Sequence, residues 1–110
     1  MDNPKNDSYY ISKAIEDIDI IVSYSNNMSY DEFVENRQRN DAIMFRLVQM
    51  VESIKNISKE FRQEHSEVPW GDIIGFRNGL VHEYGKTDYH SVYTIVTKDI
   101  IELRKALLDK

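Results

Sequence analysis

Apolar residues recur along this chain at helical spacing, and no useful length of it alternates with the period of a strand. In the first segment Ile11, Ile15, Ile18 and Val22 form a stripe that Ala14 and Ile21 widen, the mark of a helix with one buried face. Ser8 is placed to cap it, and Ser25-Asn26-Asn27 to let the chain out. Ser29-Tyr30-Asp31-Glu32 reads as a capping box, which starts a short helix carrying Phe33 and Val34.

The central segment has the strongest pattern. Ile43, Leu47, Met50, Ile54, Ile57 and Phe61 alternate steps of four and three, the spacing of a packed helix seam. Met44, Val48 and Val51 add a second stripe, so this helix is expected to pack on two neighbours, one of which could be another subunit. After a polar stretch from Gln63 to Glu67, Pro69 occupies a first helical position, where its missing N–H costs nothing. That helix runs from about Trp70, and Gly85 is suited to end it. A last helix carries Val92, Ile95, Val96, Ile100, Leu103 and Leu107. The pattern predicts an all-α fold, an antiparallel up-and-down four-helix bundle with a short extra helix. One domain over residues 1–110, with 1–7 as a flexible lead, accounts for the length.

Composition narrows the class. Charged residues make up 30% and hydrophobic ones 41%, which fits a soluble globular chain. No apolar run approaches a bilayer span, no signal-peptide layout opens the sequence, and there is no cysteine for disulfides, thiol catalysis or thiolate zinc sites. A cytoplasmic protein with no membrane association and no cofactor or metal is the expectation. The net charge of −5 counts against a module that grips nucleic acid by general electrostatics. An enzyme that holds one scissile phosphate is less affected.

The octet Arg77-Asn78-Gly79-Leu80-Val81-His82-Glu83-Tyr84 brings a permanent cation, an amide, an imidazole and a phenol within two helical turns. An acid–base group near an obligate cation is what phosphodiester cleavage needs when no metal takes part. On a regular helix, however, Arg77 and His82 lie about 140° apart. The arginine can wrap round, the helix can loosen near Gly79, or two copies of the motif can complete each other across a dimer. The bland alternative is a snorkelling arginine, a histidine favoured by the helix C-terminus and a core tyrosine.

Arg77-Asn78, then His82, then Tyr84 resembles the R-x4-H-x-Y signature of HEPN-domain proteins, specifically the HepT-like toxins. Arg46-Leu47-Val48-Gln49-Met50-Val51-Glu52 is similar to a second stretch of that family, with Val51 in place of its usual glycine. Pro69-Trp70 and Ile73-Ile74-Gly75-Phe76 resemble its lead-in to the motif. The resemblance implies a homodimeric, metal-independent ribonuclease of a type VII-like toxin–antitoxin pair, with Arg77 and His82 catalytic and Asn78 in support. It further implies a minimal nucleotidyltransferase (MNT-type) antitoxin that transfers AMP to Tyr84, also a supporting residue, and an RNA substrate. The other class of function is a non-catalytic HEPN-type subunit that binds a nucleotide or a nucleotidyltransferase partner.

The remaining polar residues read as structural. His65 and His90 are expected to be solvated surface histidines. Glu16-Asp17 and Asp31-Glu32 are expected to be solvated faces or helix-start charges, not metal ligands. Arg46 and Glu52 are expected to form an ion pair or to support the site.

Overall fold

Side-chain oxygens at Asn6, Ser29, Asn36 and Ser58 accept backbone N–H groups from Tyr9, Glu32, Arg39 and Phe61, and each marks the start of a helix. These are α1 (Asp7–Ser25), α2 (Tyr30–Glu35), α3 (Arg37–Ile54) and α4 (Lys59–Glu64). Then come α5 (Trp70–His82), α6 (Tyr89–Thr94), a π-helical turn over Ile95–Asp99, and α7 (Ile100–Leu108). The computed structural model describes residues 6–82 and 89–109, with 77–82 as helical backbone alone. Within those residues the fold is an all-α helical bundle, as the spacing predicts.

α3 is the hub. Ile43, Leu47, Met50 and Ile54 are at most 1% exposed, and α1, α2 and α5 all pack on it. Burial of side chains of this size stabilises by roughly 1.5–3 kcal/mol each. Two links set α1 antiparallel to α3: the Asp7 carboxylate accepts from the Ser58 N–H and hydroxyl at 2.9 and 2.7 Å, and Asp17 meets Arg46 at 3.1 Å. α7 returns along α1, with Arg104 donating to Asp19 at 2.8 Å.

Several expectations change. Asn6, not Ser8, caps α1, and the buried face turns toward Asp17, leaving Val22 37% exposed. Asp17 is therefore buried rather than solvated, because Arg46 reaches it from α3. Burial raises its carboxyl's pKa and the Arg46 hydrogen bond opposes that rise. Arg46 thus pairs with Asp17, while Glu52 meets Lys55 at 3.6 Å.

The central seam does not run unbroken to Phe61. α3 ends at Ile54, the Asn56 amide donates to the Glu52 carbonyl, and Ser58 starts α4 afresh. Ile57 stays in the core at 2% exposure although it belongs to no helix. The second stripe is not spare either, since Met44 and Val51 are buried within the chain. Pro69 precedes α5, its carbonyl accepting from Ile73 at 3.1 Å. Gly85 lies outside the described residues. In the last segment the Ile100 N–H reaches back five residues to the Ile95 carbonyl, while Thr94 and Thr97 hydroxyls bond the carbonyls of His90 and Tyr93.

His65 is buried, not solvated. Its Nδ1 donates to the Phe61 carbonyl at 3.0 Å, its Nε2 faces the Asp109 carboxylate at 3.3 Å, and its ring stacks on Phe61 at 4.3 Å. The Phe61 carbonyl, and after it Asp109, raise the imidazole's pKa against the opposing effect of burial. A folded pKa above the unfolded value of about 6.5 means that this stabilisation is complete below about pH 6.5 and fades as pH rises through the folded value. We expect thermal stability to fall over that window. His65→Gln should flatten this fall, as read by melting temperature against pH.

Asn40 is fully buried, and neither polar atom of its side chain has a hydrogen-bond partner among the described residues. Leaving an amide in that state costs on the order of 1–3 kcal/mol. Asn40→Leu, of similar volume, should therefore raise the melting temperature by about 4 °C or more. An unchanged or lower value in a thermal melt would count against this.

Candidate active site

α5 starts beside α4, where the Trp70 indole N–H donates to the carbonyls of Arg62 at 3.1 Å and His65 at 2.9 Å. This is also the end of the bundle where α1 begins, against Ser58. From there α5 runs along α3 for 13 residues, about 20 Å. Its last turns, which carry Arg77, Asn78 and His82, therefore approach the opposite end, where α3 starts. The side chains of these three residues, and all of Tyr84, lie outside the described residues.

The backbone alone decides one point. α5 is continuous α-helix through Gly79 to His82, so the helix does not loosen there. Ile73 is 2% exposed and marks the inward face. Counting about 100° per residue round a regular helix, position 77 falls some 40° from Ile73 and position 82 about 180°. The two positions therefore do not share a face of a regular helix. A site using both needs either the reach of a long side chain or a second copy of the helix.

The structure adds an aromatic layer at the same end, which periodicity does not reveal. Phe33 of α2 is fully buried and meets Tyr89 and Tyr93 of α6 at ring distances of 6.2 and 5.6 Å. Tyr30 lies outside them, 5.4 Å from Tyr93 and 5.7 Å from His90. His90 is exposed, as expected. The spacing of Tyr89 and Tyr93, four apart on one helix, was the only sequence signal for it.

Charge at this end is mixed. Asp31, Glu32 and Glu35 lie on α2, and the Ser29 backbone N–H, then its hydroxyl, hold the Glu32 carboxyl below its ordinary pKa. Arg37 pairs with Asp41 at 3.4 Å, and the Arg39 guanidinium donates to the Met28 sulfur at 3.2 Å. Asp31-Glu32 is thus helix-start charge, as expected. Among the described residues no group of three histidines, aspartates or glutamates is placed to hold a metal ion, and no helix is long and apolar enough to cross a membrane.

Comparison with known proteins supplies the family. Residues 12–109 match the family described as "Ribonuclease HepT-like". A protein of Caldanaerobacter subterraneus subsp. tengcongensis named "Putative RNase" is 32% identical over 96 residues, covering 87% of this chain and 86% of its own length. A "Putative RNase" of Methanocaldococcus jannaschii is 30% identical over 103 residues, covering 93% and 85%. A "Probable ribonuclease HepT" of Thermococcus cleftensis is 26% identical over 95 residues, covering 86% of each chain. No solved structure matches. With the motif-bearing helix inside the matched span, this chain belongs to the HepT-like ribonuclease family.

Proposed function

We propose that this protein is a metal-independent endoribonuclease that acts as the toxin of a toxin–antitoxin pair, with Arg77 and His82 as its catalytic residues. The observation that carries the reading is the R-x4-H-x-Y spacing, its arginine and histidine on one continuous helix, in a chain of a ribonuclease family. RNA supplies its own nucleophile, the 2′-hydroxyl, so the protein has only to move protons and stabilise charge on phosphorus. The His82 imidazole takes the 2′ proton or returns one to the departing 5′ oxygen. The Arg77 guanidinium grips two phosphate oxygens as charge builds on them. Asn78 supports the phosphate or the imidazole.

The angle between the two catalytic positions favours a homodimer in which two α5 helices complete each site. The apolar stripe on α3 lends this no support, because it is used inside the chain. Tyr84 is the switch. An AMP group transferred from ATP to its hydroxyl by a minimal nucleotidyltransferase antitoxin, with pyrophosphate and the phenolic proton leaving, places bulk and negative charge where the RNA phosphate must sit. A net charge of −5 suits an enzyme that holds one phosphate better than a high-affinity RNA-binding module.

Expression without the antitoxin should slow growth of a bacterial host, and His82→Ala should restore it. The purified protein should cleave RNA in the presence of EDTA, with His82→Ala slower by about a hundredfold or more. Equal growth and equal cleavage for the two forms would leave only the non-catalytic HEPN-type subunit that binds a nucleotide or a nucleotidyltransferase.

Incubation with the nucleotidyltransferase and ATP should add mass in steps of AMP to the wild type and not to Tyr84→Phe. A gain of mass that persists in Tyr84→Phe would place the modification elsewhere.

A further inference from the structure

We propose that Tyr30 and His90 form a stacking subsite for one unpaired base of an RNA strand. This rests on the RNA-cleaving reading above and extends it to how the substrate is held.

The rings at this end divide into an inner and an outer set. Phe33, Tyr89 and Tyr93 join α2 to α6, and the Tyr93 hydroxyl donates to the Met28 carbonyl at 2.9 Å, which fixes that ring. The outer pair adds little to this core: Tyr30 is 37% exposed and His90 is exposed. Yet Tyr30 is held. It stands edge-on to Tyr93 at 81°, and it follows Ser29, whose reciprocal bonds with Glu32 fix the backbone at the start of α2. The two outer rings, 5.7 Å apart and inclined at 57°, are a preorganised aromatic surface open to solvent.

Stacking is the chemistry that fits the surroundings. Every base has an aromatic face, and stacking needs no net positive charge, which agrees with a flank carrying Asp31, Glu32 and Glu35. Those carboxylates turn the phosphates away and leave the base to face the rings. On the inner side of the rings the Arg39 guanidinium donates to the thioether of Met28, a weak acceptor, and the Met28 carbonyl accepts from Tyr93. A phosphate next to the stacked base therefore has a cation on that side. Tyr89 follows His82 by seven residues, a chain length that spans at most about 25 Å. The subsite thus lies within a few nucleotides of the catalytic helix. Only an unpaired base has a face to offer.

The test uses a 2′-O-methyl single-stranded RNA oligonucleotide, which cannot supply the attacking hydroxyl, with binding read by fluorescence anisotropy. Tyr30→Ala should weaken binding by about tenfold, while Tyr30→Phe stays within about twofold of the wild type. Circular dichroism should show both folded. His90→Ala should weaken binding in the same direction. Binding by Tyr30→Ala equal to that of Tyr30→Phe overturns the subsite, as does an equal loss for single-stranded and duplex RNA. Loss of nucleotidyltransferase binding with RNA affinity intact also overturns it, and assigns the rings to protein docking. If the wild type cleaves RNA and Tyr30→Ala cleaves it with the same kcat/KM, the subsite fails and the nuclease stands. If the wild type cleaves nothing but the oligonucleotide still depends on the Tyr30 ring, the nuclease fails and the subsite stands.

Discussion

Everything in this bundle is arranged around α3, because a helix apolar on more than one side cannot face water. Ile43, Leu47, Met50 and Ile54 on one stripe, with Met44 and Val51 beside it, require cover from several directions. α1, α2 and α5 supply it. That requirement aligns α5 along α3 and so carries the Arg77–His82 turns to the end where α3 begins. The Asp17–Arg46 pair sits at the α1–α3 contact as a polar clamp on an otherwise apolar seam. Replacing one partner would leave the other's charge without compensation near the core, which is more damaging than loss of an exposed ion pair.

What could be read in the sequence was what depends on near neighbours. The capping box at Ser29 and Glu32 closes over three residues and forms as its letters predict. The helical seam of α3 was equally plain. The break after Ile54 was harder, because the apolar spacing continues through Ile57 while the backbone turns. Features with distant partners could not be read. The face that α1 buries is chosen by Arg46, twenty-nine residues on, and His65 is buried against Asp109, forty-four residues away. Both looked like solvated polar residues because their environment is made by other segments.

The candidate site divides along the same line. Helix geometry alone placed Arg77 and His82 on different faces, and the continuous backbone of α5 removes the escape through Gly79. Of the aromatic layer at the same end only the spacing of Tyr89 and Tyr93 was legible, since Phe33 comes from a segment that shares no periodic pattern with them. The choice between a wrapped arginine and a second copy of the chain depends on contacts outside any one helix.

The π turn over Ile95–Asp99 also bears on how this chain can change length. Such a turn holds one residue more than the α-helical turn it replaces and absorbs it as a local bulge, so the helices on either side keep their phase. Deleting one residue there would restore ordinary α-helix and leave Arg104 facing Asp19. The same deletion within α7 would swing every later side chain by about 100° and turn Leu107 out of the core. Among homologues, single-residue gaps in this half of the molecule should therefore collect at the bulge and be purged from α7.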